Sequence, residues 1–316
     1  MLNRLSPKKL IEQVKTLLHE QIQNWPFCQD GYKALDSVKI KTVHCENYEV
    51  RIQCNPGRIK SSTAKVDKTS ITQRACFLCH NNRPLEQEGI MYHDNYIILC
   101  NPAPIFDRHY TVAHVCHVPQ FVEDHLEMIF KLSRDLDSEY TLIYNGPQSG
   151  ASAPDHFHLQ AFTSNIMPIE KEARNPNMLE AIHNGMNILK NYDRTAIALS
   201  GENYPVLIQN IKTILHITAS VCKTEGEPLI NLIVTYQNNH WLAILFLRHK
   251  HRPDCYFEEE DKRMIVSPGT VDMGGIIITP RQEDFERLTK EVIQGVYQEV
   301  SLPDMLFNEI THKLRA

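Results

Sequence analysis

The chain has 316 residues, of which 42% are hydrophobic and 22% charged, with 12 Gly and 17 Pro. These proportions exclude long disorder, collagen-like sequence and low-complexity sequence. A formal net charge of −5 argues against a general binder of nucleic acid polymers or anionic membranes, and no run of eighteen apolar residues is present to span a bilayer.

The length suits two domains or one large one. The basic start MLNRLSPKKL is followed by no apolar signal-peptide core, so a cytoplasmic setting is expected. There the nine cysteines are expected to stay reduced, as buried thiols, metal ligands or nucleophiles.

Ser6 as N-cap and Pro7 in the first turn open a helix whose apolar stripe runs through Leu10, Ile11, Val14, Leu17, Leu18 and Ile22. Strands are expected at 39–43 and 48–53, then a polar, basic, turn-rich loop at 55–65. Further strands follow at 96–100, after which Asn101-Pro-Ala-Pro makes a rigid turn, and near 109–114. An amphipathic helix is expected over 122–140, a strand over 141–145, a Gly/Ser loop, and another strand through 158–162. Residues 164–203 read as two helix-like patches separated by turn residues and hold the best domain boundary. Beyond it, 228–235 and 241–248 form a hairpin around Gln237-Asn-Asn239, with a strand at 276–279 and a closing helix over 284–298. Clustered strands without a regular βαβ repeat indicate an α+β fold with antiparallel sheets.

The most informative run is 144–160, in which Asn145-Gly-Pro-Gln-Ser-Gly150-Ala-Ser152 leads to His156-Phe157-His158-Leu159-Gln160. An extended chain at 156–160 puts His156, His158 and Gln160 on one face and Phe157 and Leu159 on the other. Polar side chains on one strand face either meet solvent or form a site, because burying them unpaired is costly. The loop before them offers N–H groups and hydroxyls suited to an anion such as phosphate. A neutral imidazole beside it can attack phosphorus, dividing one displacement into two. A second signal is Cys76-Phe-Leu-Cys79, whose spacing lets two thiolates reach one tetrahedral ion. No second Cys-x-x-Cys exists, so the remaining ligands would be histidines. Two buried thiols are the alternative.

These motifs together resemble the histidine-triad superfamily, in the transferase branch of galactose-1-phosphate uridylyltransferase, ADP-glucose phosphorylase and diadenosine tetraphosphate phosphorylase. Hydrolases of the superfamily carry a third His where this chain has Gln160. The resemblance implies two histidine-triad-like halves flanked by helices, the second degenerate. It places a catalytic half with a zinc knuckle at 1–200, and a second half completing the nucleotide site at 201–316. It implies His158 as the nucleophile, Gln160 as donor to the phosphoryl oxygens, and Ser152, Asn145 and Gly150 as phosphate contacts. It further implies one structural zinc on Cys76, Cys79, His117 and His156, with His114 as the alternative to His117 and His80 and His109 as weaker ones.

Arg58 and Lys60 are candidates for a β-phosphate or leaving group, and Asn101 for a ribose contact. The basic cluster 248–252 and Asp272, in a turn with Gly274 and Gly275, are weaker candidates for phosphate or sugar. The implied activity is nucleotidyl transfer from a nucleotide-sugar or dinucleoside polyphosphate to phosphate or a sugar phosphate, through a nucleotidyl-His158 intermediate. Activity is expected to fall below about pH 6.5, where an unperturbed imidazole protonates. A regulatory nucleotide-binding protein on the same scaffold, or a zinc-containing interaction protein, would carry the same motifs. Related enzymes occur as monomers and homodimers, so oligomeric state stays open.

Overall fold

A computed structural model of the chain describes residues 7–64 and 66–315. The first helix runs Pro7–Asn24 with Leu10, Ile11, Val14, Leu17 and Leu18 buried, while Ser6 lies outside the described residues.

The described strands form two sheets. The smaller contains β1 (Lys39–His44), β2 (Glu49–Cys54) and β13 (Ile276–Thr279), with β13 parallel to β2. In the larger, β3 (Gly89–Tyr92), β4 (Tyr96–Cys100), β5 (His109–His114), β6 (Tyr140–Asn145) and β7 (His158–Thr163) come from the first part of the chain. Then β8 (Leu179–Ala181), β9 (Met186–Leu189), β10 (Ala196–Gly201), β11 (Ile230–Gln237) and β12 (His240–Leu247) come from the second. Their spatial order is β3-β4-β5-β7-β6-β11-β12-β10-β9-β8, with every pairing antiparallel.

That order is one five-strand unit used twice. Read inward from either edge, β3-β4-β5-β7-β6 repeats as β8-β9-β10-β12-β11, and the units join where β6 pairs with β11. Each unit places a helix before its innermost strand, Leu126–Asp135 before β6 and Tyr204–Cys222 before β11. The fold is therefore α+β with two like halves. The second lacks the polar face of the first: after His240, β12 reads Trp-Leu-Ala-Ile-Leu-Phe-Leu, all of it buried.

The core lies on both faces of the large sheet. On one, Phe157 and, from β7, Leu159 and Ala161 pack with Leu126, Ile129 and Leu132 of one helix and Leu207, Ile211 and Ile214 of the other. On the opposite face, Ile143 and Phe162 meet Val50, Ile52 and Ile277 of the small sheet. Burying each such side chain stabilises the fold by about 1.5–3 kcal/mol. The β11–β12 hairpin turns through Asn238 and Asn239, both at positive φ (52° and 60°), as a two-residue primed turn requires.

Three sequence expectations change. Residues 179–201 form β8, β9 and β10 rather than a helical patch, so the second five-strand unit already begins before residue 201. Short apolar runs such as Ala196–Leu199 carry no period that separates buried strand from helix. The helix expected over 122–140 is confined to Leu126–Asp135. The closing helix is two, Gln282–Arg287 and Lys290–Val300, because Leu288 leaves helical geometry and Thr289 caps the second on the Val292 N–H. A last helix, Asp304–Arg315, packs on Tyr204–Cys222. Among the described residues no helix is long and apolar enough to cross a membrane.

Glu227, just before β11, ties the halves together. Its carboxylate takes the Val122 N–H (2.6 Å) and lies 2.6 Å from the Tyr144 hydroxyl of β6. The same hydroxyl lies 2.9 Å from the Gln120 carbonyl, and one proton cannot serve both acceptors. A protonated Glu227 supplies the missing one, and burial pushes its pKa up to about 7. An acid whose folded pKa is raised adds stability that is fully present below its unfolded value of about 4.5 and lost as pH rises through about 7. Melting curves from pH 5 to 8 should therefore show Glu227→Gln losing less stability across that window than the parent. Parallel curves would mean that Glu227 is ionised throughout.

Candidate functional site

The site is built where β6 and β7 part. Their ladder pairs Tyr140 with Thr163 through Ile143 with Gln160, and its continuation would bring Asn145 against His158. There the buried side-chain amide of Gln120 inserts instead. Its Nε2 donates to the carbonyls of Asn145 (2.9 Å) and His158 (3.0 Å), and its Oε1 accepts the His158 N–H (2.7 Å). The strands are held apart without leaving their peptide groups unpaired, whose cost would be about 1–3 kcal/mol each.

His158 sits on this splayed end, only 4% exposed. Its Nδ1 lies 2.9 Å from the His156 carbonyl, which must receive a proton from it, so in the neutral ring Nε2 carries the lone pair. Burial pushes the pKa down to about 4, so the ring stays neutral well below the limit of about 6.5 expected of an unperturbed imidazole. Two residues on, Gln160 lies 2.8 Å from Nε2 of His109, a buried residue of β5.

His156 precedes the strand and turns into a cluster. One nitrogen or sulfur each from Cys76, Cys79, His117 and His156 lies within 4.8 Å of the others. Cys76 Sγ is 3.3 Å from His156 Nδ1, and Cys79 Sγ is 3.2 Å from His117 Nδ1 and 3.5 Å from His156 Nδ1. A tetrahedral ion with bonds of about 2.0 Å to nitrogen and 2.3 Å to sulfur has ligand edges of about 3.5 Å, so the spacing fits. The outer atoms fit too: His156 Nε2 donates to the His114 carbonyl (2.7 Å), and His117 Nε2 stands 3.5 Å from an Asp155 carboxylate oxygen. Both rings thereby present Nδ1 inward. The alternatives turn elsewhere: the His114 ring pairs with the Cys116 backbone, His80 with Arg83, and His109 with Gln160. Four protein ligands leave no open position, so a zinc ion here would be structural.

Two cavities meet at the His158–Gln160 strand. The larger, about 510 Å³, is lined by Trp25, Phe27, Phe77, Gln87, Asn101 and His158, with Lys60 at its exposed edge. The smaller is polar and lies against the second half of the chain, with Ser62, Asn145, Gly150, His251, Arg252 and Thr270 in its wall. Arg58, Ser61, Ser152 and Gln160 line both. Gly150 has φ +103°, and a Cβ there would stand 2.8 Å from the Gly269 Cα, so only glycine lets the two loops approach this closely. The Asn145 side-chain oxygen accepts from Asn231 Nδ2 (3.0 Å) and the Thr270 N–H (2.8 Å), which leaves its amide hydrogens for the cavity.

Two weaker candidates are tied to the protein itself. Arg248 is buried and donates to Asn231 and to the carbonyls of Val300, Pro268, Lys250 and His251. The Asp272 carboxylate accepts the N–H groups of Gly269 and Ile278. Arg248 has no N–H group left for phosphate or sugar, whereas each Asp272 oxygen accepts one N–H and the side chain still lines the smaller cavity. Arg58 gives one nitrogen to the Ala103 carbonyl, and Arg252 donates to Ser267 Oγ and the Ala64 carbonyl while keeping Nη1 free. The aromatic wall, Gln120 and the pairing of His109 with Gln160 are absent from the sequence-derived set, which held Arg252 only within the basic cluster 248–252 and His109 only as a weaker zinc-ligand alternative. Gln120 ends the run His117-Val-Pro-Gln, and His109 alternates with Thr111 on β5, but nothing local marks either as part of a site.

Residues 17–163 match the family model described as Domain of unknown function (DUF4922), and residues 168–316 match the GDPGP1-like, C-terminal domain. A curated relative, GDP-L-galactose phosphorylase 2 of Arabidopsis thaliana, is 24% identical over 234 residues, covering 68% of this chain and 50% of that protein. The chain thus spans about half the length of the curated relative it matches. Among solved structures, yeast Ap4A phosphorylase Apa2 in complex with Ap4A superposes with a TM-score of 0.66 at 12% identity, over 92% of this chain and 98% of that one. The same enzyme described without Ap4A gives 0.60 at 14% identity, over 88% and 97%. At such identity the likeness is one of fold.

The cluster predicts a metal content. Elemental analysis of the native protein should find close to one zinc per chain. Cys76→Ser and Cys79→Ser should each bring it well under half, with a melting temperature lower by about 5 °C or more. Metal content well under one in the parent would leave the four side chains a hydrogen-bonded cluster.

Proposed function

We propose a function from the premise that this chain belongs to the histidine-triad superfamily, in the branch of galactose-1-phosphate uridylyltransferase, ADP-glucose phosphorylase and diadenosine tetraphosphate phosphorylase. The protein is a nucleotidyltransferase that works as a phosphorylase, with a nucleotide-sugar as donor and inorganic phosphate as acceptor. The observation that carries this reading is the placing of His158 and Gln160 where two cavities meet. The larger, apolar and aromatic, suits a nucleoside. The smaller, with Arg58, Arg252 and hydroxyls, suits the second anion that a phosphorylase must hold. The name of the curated relative, a GDP-L-galactose phosphorylase, favours a GDP-hexose over other donors.

In the first step the Nε2 lone pair of His158 attacks the α-phosphorus. A P–N bond forms, the bond from phosphorus to the bridging oxygen breaks, and hexose 1-phosphate departs with that oxygen. The Nδ1 proton stays on the ring against the His156 carbonyl, which takes up part of the positive charge developing there. In the second step a phosphate oxygen attacks the same phosphorus, the P–N bond breaks, and the nucleoside diphosphate leaves with the ring neutral again. Gln160, Ser152 and Asn145 supply donors to the phosphoryl oxygens, Asn101 a contact to the ribose, and Arg58 charge beside the leaving group. Lys60, at the exposed rim, adds long-range attraction for the anion. Cys76, Cys79, His117 and His156 would hold a zinc ion whose structural role would be to fix the His156 backbone on which His158 leans.

Incubation with α-phosphorus-labelled GDP-glucose, ADP-glucose, UDP-glucose and diadenosine tetraphosphate tests the reading. An acid-labile, base-stable label on the protein, chased by inorganic phosphate into nucleoside diphosphate and lost in His158→Ala, is the expected result. Arg58→Ala should raise the KM for phosphate about tenfold or more with label uptake less affected. Nucleotide binding with no label would return a binding protein, and neither result an interaction protein.

A further inference from the structure

His109 lies 51 residues before Gln160 in the chain, is fully buried, and has both ring nitrogens engaged. Nδ1 accepts the backbone N–H of Ile105 at 3.1 Å, so Nδ1 carries no proton. In the neutral ring the proton is then on Nε2, which points at the Gln160 side chain 2.8 Å away. A donor there demands the amide oxygen. Burial, reinforced by the Arg58 guanidinium, pushes the imidazole down to about 3, so the ring does not switch to the doubly protonated form near neutrality. The other polar neighbour, Asn101 Nδ2, stands 3.4 Å from Nε2 and is itself a donor, because the Asn101 oxygen accepts the Ala103 N–H. It offers Nε2 no competing acceptor.

An isolated glutamine amide can turn by half a revolution at little cost, presenting either an oxygen or an NH2 group to its site. In front of a phosphoryl group the two orientations have opposite effects. The NH2 group donates to equatorial oxygens as charge builds on them, while the carbonyl oxygen repels them. We propose that His109 is a positioning residue: it locks Gln160 with its oxygen inward and its amide hydrogens turned to the transferred phosphoryl group. The inference rests on the transfer reading above for its consequence, and on the hydrogen-bond chain Ile105 N–H to His109 to Gln160 for its geometry. The Ile105 amide, fixed on the turn before β5, thereby decides which face of Gln160 the substrate meets.

Two measurements test it, one of them independent of any activity. Nitrogen-15 spectra of the imidazoles in the whole protein should show His109 as the Nε2–H tautomer. An Nδ1–H tautomer would overturn the proposal whether or not transfer occurs. The kinetic arm uses label uptake from α-labelled GDP-glucose, or from whichever donor labels the parent chain. His109→Phe should slow uptake about 10- to 100-fold, with the KM for the nucleotide changed less than about threefold. His109→Gln, which returns a donor at the Nε2 position, should recover most of the rate. Added to Gln160→Ala, His109→Phe should cost less than a further factor of about two, since the lock then has nothing to hold. Full multiplication of the two effects, or no recovery in His109→Gln with a melting temperature near that of the parent, would sink it. Absence of label in the parent chain overturns the transfer reading and with it the positioning role, while the tautomer measurement still decides the lock.

Discussion

The site depends on one inserted amide. Gln120 stands where β6 and β7 would otherwise continue their ladder, and its three hydrogen bonds substitute for the pairing of Asn145 with His158. Without it, closing the strands would seal the opening that exposes His158 and Gln160, and leaving them open would strand buried peptide groups. The same backbone accepts the Tyr144 hydroxyl, which is in turn tied to Glu227 of the second unit. The mouth of the site and the joint between the two halves are thus one network, with little freedom for either to shift alone.

Within that frame, capacity for hydrogen bonding separates residues that build from residues that act. Arg248 and Asp272 are buried beside the smaller cavity, yet every N–H of Arg248 already meets a protein acceptor and each Asp272 oxygen already accepts a backbone N–H. They join the segment 267–272 to the end of β12 and hold Gly269 against Gly150. Arg58, Arg252, Asn145 and Gln160 each keep a donor beside a cavity that meets no partner among the described residues. A charge-by-charge reading of the sequence cannot make that distinction, since it depends on how many partners each group has already met.

The repeated five-strand unit shows why one half carries chemistry and the other does not. Topology and the helix before the innermost strand are the same in both. Where β7 has His158 and Gln160, β12 has an uninterrupted apolar run, packed on both faces. The second unit contributes instead through its edges and loops: Asn231 on Asn145, Arg252 and Thr270 in the smaller cavity, and Glu227 at the seam.

Much was legible before folding because it rests on short-range regularities. Period and turn chemistry located the hairpin through Asn238 and Asn239, strands β1, β2 and β4 to β7 and the helical stripe from Leu10 to Leu18, while β3 went unread. Spacing alone brought Cys76 together with Cys79 and put His158 and Gln160 on one face of a strand. Residues 179–201 escaped because their short apolar runs suit either kind of buried element, and only a neighbouring strand settles which. Tertiary structure likewise decided that His117 rather than His114 faces the thiols, that Arg248 is spent, and that His109 meets Gln160. Each of these turns on which partner a polar group finds across tens of residues, and a hydrogen bond is satisfied by position in space, not by position in the chain.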